Sequence, residues 1–127
     1  MTMPLHFIER LHVDGRPVDC QVALAGSFFL RLRGLLARPR LTPRQALWLP
    51  YCDAIHTIGM RHAIDVVFVD RTGSVVRVCE AVYPMRARVC RTAACVVELD
   101  AGNAARLGIR IMSRLTSSIE LQVSDRR

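Results

Sequence analysis

Two valine-rich segments separated by a short loop constrain the fold of this chain more than any other feature. Ile64 to Val69 and Ser74 to Val82 are rich in β-branched residues, and the loop Asp70-Arg71-Thr72-Gly73 lies between them. β-Branched side chains pack well on a pleated surface, and a short loop that contains glycine is typical of an antiparallel hairpin. We therefore expect the core of this chain to be built on a β-sheet.

Strand patterns recur along the rest of the chain. Leu11 to Leu24 is predicted to form another hairpin, because Asp14-Gly15 favours a tight turn and the residues after it alternate between apolar and polar. Further strands are predicted at Ala46 to Leu49, Ala54 to Met60, Cys95 to Leu99, Ile109 to Leu115 and Ile119 to Val123.

Helical patterns are few. Ser27 to Ala37 places its apolar residues on one face, Ser27 is a good N-cap, and Pro39 ends the pattern. Asn103 is expected to cap a short helix that Gly108 ends.

These elements predict a mainly β fold. We expect a single domain over residues 1–127, a β-sandwich or barrel of about eight short strands with one flanking helix and one short helix. A chain of 127 residues suits one domain. The pattern lacks β-α-β alternation, which disfavours a Rossmann-type fold.

Composition indicates a globular protein that does not span a membrane. Hydrophobic residues make up 51% of the chain and charged residues 23%. No apolar run approaches the ~20 residues of a membrane-spanning helix, and the N-terminus lacks the basic start and apolar core of a secretory signal. We therefore expect a cytoplasmic location, where the five cysteines, none in a C-x-x-C pair, stay reduced.

The chain is basic, with a net charge of +7, and all 18 of its basic residues are arginines. The dense group comprises Arg31, Arg33, Arg38, Arg40 and Arg44. Aromatic residues, which stack on bases, are few, so nucleic-acid binding is not expected. This Arg-rich region is interpreted as a solvated basic surface, or alternatively as the docking surface of an accessory protein.

Polar side chains that could carry chemistry are densest between Cys52 and Asp65. On an extended strand, His56, Ile58 and Met60 would share a face, and Asp65 would enter a buried strand where its carboxylate needs a donor. We predict a small-ligand pocket lined by His56, Met60, Arg61, Asp65 and Glu98. The alternation around Glu98 leaves open whether that side chain points to solvent or inward.

Other interpretations of the same segment are a metal site, a Cys–His nucleophile and a purely structural role. A metal site would use Cys52, His56 and His62, with Asp65 as a further ligand. A hydrolase would need Cys52 and His56 within hydrogen-bond reach of each other. We assign no catalytic residue and expect no metal or cofactor; the partner is left open between a small molecule and a protein.

Three motifs in this order resemble an uncharacterised bacterial and archaeal family, the domain of unknown function number 192. They are Arg33-Gly34-Leu35-Leu36-Ala37-Arg38, His56-Thr57-Ile58-Gly59-Met60 with the strand that starts at Ile64, and Val97-Glu98-Leu99-Asp100-Ala101-Gly102. The resemblance covers about Ala25 to Leu115 and implies a small, mainly β fold without an established activity, substrate or cofactor.

The positions that match the family's motif residues are Gly34, His56, Thr57, Met60, Asp65, Glu98 and Gly102. The chain departs from the family at Ala63, where proline is usual, and at Met112-Ser113, where a Gly-Asp turn is usual.

Overall fold

The protein is built on a seven-stranded mixed sheet and a separate two-stranded sheet. The computed structural model describes residues 6–25 and 40–117. Its elements are β1 (Glu9–Val13), β2 (Arg16–Leu24), β3 (Gln45–Pro50), β4 (Ala54–His56), β5 (Ile64–Val69), β6 (Val75–Val82), β7 (Ala87–Val89), β8 (Cys95–Asp100), α1 (Asn103–Arg106) and β9 (Leu115–Thr116).

The order of the strands in the large sheet is β6-β5-β8-β3-β2-β1-β9, while β4 pairs with β7 in the small sheet. The mainly β fold expected from the sequence is confirmed, with nine strands in the described part of the chain and no barrel closed by a continuous ladder within it. The sheet is mixed because β2 and β3 run parallel. Parallel neighbours need a crossover of a dozen or more residues, and residues 25–44 provide it.

The large sheet is buried on both faces along β5 and β8. All six residues of β5 and all six of β8 are buried. Because side chains alternate along a strand, Val67 and Leu99 belong to one hydrophobic cluster, and Val66 and Phe68 to the other. Elements outside the central strands complete the clusters: Ala104 of α1 joins the first, and Ile55 of β4 the second.

Both predicted hairpins are confirmed. β1 and β2 pair antiparallel across Asp14 and Gly15, whose φ angles of 52° and 79° are the positive values that a tight hairpin turn requires. β5 and β6 pair antiparallel across the loop of residues 70–74. The short helix is also present, but its N-cap is Gly102, whereas the predicted cap, Asn103, is the first helical residue and donates through its side-chain amide to the Pro43 carbonyl.

Two strand predictions were wrong because turns replace them. The strand predicted over Ala54 to Met60 ends at His56, where a turn closes through the Met60 amide and the Thr57 carbonyl at 3.2 Å. The strand predicted over Ile109 to Leu115 is a turn over residues 110–113, with only Leu115–Thr116 forming a strand. The three-residue strand β7 was not predicted, since so short a segment carries no periodic pattern. The predicted helix Ser27 to Ala37 and the predicted strand Ile119 to Val123 lie outside the described residues.

The two ends of the large sheet approach each other at Gly73. An isolated bridge joins Ser74, just before β6, to Arg114, just before β9. The Gly73 carbonyl accepts a hydrogen bond from the Leu115 amide at 2.9 Å. Gly73 has a φ of +91°, and a Cβ at this position would lie 3.2 Å from the Leu115 carbonyl oxygen. Glycine is therefore required both by the backbone conformation and by the close approach.

Replacing Gly73 with alanine should lower the free energy of unfolding by about 2–3 kcal/mol. The cost of placing alanine in the left-handed conformation adds to the cost of crowding its Cβ against the Leu115 carbonyl oxygen. Gly15→Ala is the matched control, because Gly15 has a φ of +79° but a Cβ added there would meet nothing within 4 Å. We expect the control to lose about 1 kcal/mol in urea unfolding. Equal losses in the two variants would show that the approach to Leu115 is unimportant.

Candidate functional site

Asp65 joins three elements through its carboxylate. The residue lies in β5 opposite Leu99 of β8 and is fully buried. Its Oδ1 accepts a hydrogen bond from the Ala81 amide at 2.9 Å, and its Oδ2 accepts from the amides of Gly102 and Ala104 at 3.0 and 2.9 Å. A buried carboxylate is stable only when donors replace its lost water, and here three backbone groups do so.

The partners of Asp65 explain why a carboxylate is placed there. β6 carries an extra residue opposite β5, so that Ile64 pairs with Val82 but Val66 pairs with Cys79. Within this bulge Ala81 has a φ of 50°, and its amide turns to Asp65 instead of continuing the ladder. The other two donors lie at the start of α1, where the first amides of a helix lack partners within the helix. Gly102, with a φ of 91°, allows that start to face Asp65.

Thr57 joins the two loops at the end of the small sheet. It is fully buried, and its Oγ1 donates to the Tyr83 carbonyl at 2.7 Å and accepts from the Arg86 amide at 2.8 Å. Its own amide donates to the Arg86 carbonyl at 2.8 Å. Thr57 therefore fixes the turn after β4 against the loop between β6 and β7.

A small, partly enclosed hollow lies beside the start of β5. Its lining comprises Arg40, Leu41, Met60, Arg61, His62, Ile64 and Asp100. Arg40 Nε donates to Asp100 Oδ1 at 3.1 Å, and the Arg40 side chain is 57% exposed while that of Asp100 is only 12% exposed. The hollow thus combines an apolar floor with three basic side chains and one carboxylate.

The structure distributes the five predicted pocket residues over different surroundings. Met60 and Arg61 line the hollow. Asp65 is directed to the three backbone amides, and His56 is half-buried in the small sheet, where its Nδ1 accepts from the Ile58 amide at 3.3 Å. Glu98 points inward and is fully buried, paired with Leu47 on one side and Val66 on the other.

The cysteine-based interpretations find little support in the described residues. No three His, Cys, Asp or Glu side chains converge there in a way that could hold a metal ion. The Cys52 thiol donates to the nearby Ala54 carbonyl at 2.9 Å. None of the five cysteines forms a disulfide. Burial raises the pKa of the Cys20 thiol to about 11, which keeps that thiol protonated and unreactive at neutral pH.

Two members of the Arg-rich region lie within the described residues, and both form ion pairs. Arg40 pairs with Asp100, and Arg44 pairs with the exposed Asp19 at 3.2 Å. Arg31, Arg33, Arg38 and the motif residue Gly34 lie outside the described residues.

Sequence reasoning did not place Leu41, Ile64 or Asp100 in a pocket, and it assigned Arg40 and His62 to other roles. The lining of the hollow comes from the residues before β3, the loop before β5 and the end of β8. The only signal in the sequence was the motif that contains Asp100, because convergence of distant segments leaves no local pattern.

Replacing Asp65 with asparagine should lower the free energy of unfolding by about 2–4 kcal/mol, because the new amide group would face backbone donors. Asp19→Asn is the control, since Asp19 forms an exposed ion pair that contributes less than about 1 kcal/mol. Urea unfolding measures both. A loss in the free energy of unfolding in Asp65→Asn no larger than that in Asp19→Asn would contradict the conclusion that the Asp65 carboxylate joins β5, β6 and the start of α1.

Thr57→Val keeps the shape of the side chain but removes the hydroxyl. The Tyr83 carbonyl and the Arg86 amide then each lose the hydrogen bond that this hydroxyl makes. We expect a loss of about 2–3 kcal/mol in the free energy of unfolding. Thr57→Ser retains the hydroxyl and should lose only about 1 kcal/mol, for the missing methyl group. The reverse order of the two losses would indicate that packing, not hydrogen bonding, is what Thr57 supplies.

Two solved structures resemble this fold. The first is a protein from Sinorhizobium meliloti, provisionally described as a transcription regulator, with a TM-score of 0.73 and 23% identity over 91% of this chain and 98% of that one. The second is a protein of unknown function from Novosphingobium aromaticivorans, with a TM-score of 0.71 and 20% identity over 84% of this chain and 83% of that one. At these identities the likeness establishes the fold alone.

No curated protein matches the chain. Among the described residues, none of the helical segments has the length and hydrophobicity of a membrane span. A family model matches residues 9–117, from the first residue of β1 to just beyond β9, and therefore includes both Asp65 with its three donors and the hollow. The chain belongs to the family of domain of unknown function 192 (DUF192, Uncharacterized ACR).

Proposed function

We propose that this protein is a small-ligand-binding β domain that holds an anionic molecule with an apolar part in the hollow beside β5. The observation that carries this proposal is the composition of the lining. Basic side chains come from Arg40, Arg61 and His62, and the apolar floor from Leu41, Met60 and Ile64. Few polar anchors over an apolar floor are the common design of a small-molecule site.

The charges in the hollow favour an anion. Asp100 is engaged by Arg40, which fixes that guanidinium at one side of the hollow. Arg61 is exposed, and within the described residues no carboxylate lies at ion-pair distance from it. A guanidinium group presents a planar fork of donors that fits a carboxylate or a phosphate. Arg61 is therefore assigned the role of anchor for the ligand's charged group.

The small size of the hollow limits the ligand and its affinity. So small a hollow holds only the charged group and the start of an apolar tail and leaves the rest of the ligand in water. The match is therefore a small carboxylate or phosphate monoester with a short apolar tail, bound weakly and reversibly. This proposal keeps Met60 and Arg61 from the predicted pocket. Asp65 is given a supporting role instead, because its two carboxylate oxygens already accept three backbone hydrogen bonds.

Titration of labelled protein with butyrate, benzoate and phenyl phosphate, followed by amide chemical shifts, tests the proposal. We expect shifts at residues 60–64 and a weakening of roughly tenfold in Arg61→Ser, because a charge-assisted hydrogen bond contributes about 1.5–3 kcal/mol. Acetate and inorganic phosphate, which lack the apolar part, should bind more weakly.

Arg71→Ser is the matched control, since Arg71 is another exposed arginine and lies beyond the opposite end of β5. Its affinity for the same ligands should equal that of the unmodified protein. The proposal fails when none of the compounds shifts residues 60–64, or when the two variants weaken binding equally.

A further inference from the structure

Three exposed apolar side chains lie in the two loops that meet at the end of the small sheet. Ile58 is 50% exposed, and Tyr83 and Met85 are each 65% exposed. They come from two loops that Thr57 joins, because the Met85 amide donates to the Thr57 carbonyl at 3.2 Å and the Thr57 hydroxyl donates to the Tyr83 carbonyl. We refer to Ile58, Tyr83 and Met85 as the apolar tip.

The apolar tip is formed where the chain reverses direction. Ile58 occupies the second position of the turn from Thr57 to Met60, and Gly59 follows it with a φ of 85°. Met85 has a φ of 65°, an uncommon backbone conformation for this residue type. Half or more of the surface of each of the three side chains is exposed to solvent. The hydrogen bonds of Thr57 hold this arrangement in place before any partner binds.

Basic side chains flank the apolar tip. Arg61 follows the first turn directly and Arg86 follows Met85 directly, and both are exposed. Neither has a carboxylate at ion-pair distance within the described residues. The acidic residue nearest to the second loop along the chain is the exposed Glu80 in β6. Arg61 and Arg86 therefore outnumber the one acidic residue near the apolar tip along the chain, and the net charge of the whole chain is +7.

We propose that the apolar tip docks this protein on the surface of an anionic membrane. Ile58 and Met85 enter the boundary between head groups and acyl chains, Tyr83 lies at the level of the head groups, and Arg61 and Arg86 contact lipid phosphates. Aromatic side chains favour that level, and each basic residue near an anionic leaflet adds attraction that salt screens. This proposal does not depend on ligand binding in the hollow.

The small extent of the apolar tip favours a lipid surface over a protein partner. Specific protein interfaces bury their anchoring side chains in pockets of matching shape, and three side chains offer little area for such a fit. A layer of head groups adapts to a small apolar group of any outline. The rigid loops reduce the ordering that docking requires, so a small apolar area and two cations suffice for reversible binding.

Sedimentation with vesicles of phosphatidylcholine, with and without phosphatidylserine, tests the proposal. We expect the full chain to sediment with the phosphatidylserine vesicles, and less so as salt rises. The double variant Ile58→Asp, Met85→Asp should lose more than about tenfold in partitioning. Asp tolerates the left-handed conformation of Met85, so the fold should be retained, which thermal unfolding checks.

The double variant Ile111→Asp, Met112→Asp is the matched control, because it adds the same two negative charges and Ile111 is also 61% exposed. Met112 is also an exposed methionine in the left-handed conformation, 77% exposed with a φ of 76°. Its amide bonds to Val75 at the start of β6, whereas the apolar tip follows the end of that strand, about 23 Å away at ~3.3 Å per residue. The partitioning of the control variant should equal that of the unmodified protein. As a second readout, the emission of Tyr83→Trp should shift to the blue only with phosphatidylserine vesicles.

The proposal is overturned by failure to sediment with the anionic vesicles. It is also overturned by equal losses in Ile58→Asp, Met85→Asp and in the control of equal charge, which would mean diffuse attraction by the net charge. A third contrary result is a dimer in sedimentation equilibrium that only Ile58→Asp, Met85→Asp dissociates, since the apolar tip would then be an interface between copies of this chain.

Discussion

The carboxylate of Asp65 is the interaction on which the rest of the structure depends. It lies near the start of β5 and is fully buried, where a charge is expensive, and it is retained there by three backbone amides from β6 and the start of α1. One of those amides belongs to a bulge and the other two to a helix start, which are positions where a regular strand or helix offers no hydrogen-bond acceptor. The same hydrogen bonds thereby stabilise the charge, the bulge and the position of α1.

The hollow and the apolar tip both follow from this arrangement of the sheet. Ile64, the residue before Asp65, forms part of the floor of the hollow, and Asp100, at the end of the neighbouring strand, fixes Arg40 at its side. Thr57 plays the corresponding role for the tip, where it joins two loops that are distant in the chain. Two buried polar side chains therefore position the surfaces to which we assign binding, without contacting a ligand themselves.

The regular parts of the fold could be predicted from the sequence, because their signals are local. Alternation and turn residues identified both hairpins, and Gly108 marked the end of α1. The prediction that the strand continues from Thr57 to Met60 was wrong. The spacing of the apolar residues there does not reveal that Gly59 adopts a positive φ in a turn. The parallel pairing of β2 with β3 left no pattern at all, since it depends on a crossover rather than on the residues that pair.

The candidate site was predictable only in part, for the same reason. The need of Asp65 for donors followed from its place before an apolar strand, but the donors are backbone amides, which every residue type except proline offers. Met60 and Arg61 were identified from the density of polar side chains. Arg40 and Asp100 approach Met60 and Arg61 only because remote segments of the chain fold together. No local pattern in a single sequence predicts that proximity.

The bulge at Ala81 has a consequence for how copies of this protein behave at high concentration. β6 is the outermost strand at one end of the large sheet, and β9 at the other end has only two residues. A long regular outer strand is a template for edge-to-edge aggregation, and a bulge or a charged side chain disrupts it. The bulge interrupts β6, and Arg77 and Glu80 lie exposed on it. The pairing that secures the interior thus also protects the chain against polymerising through its own strands.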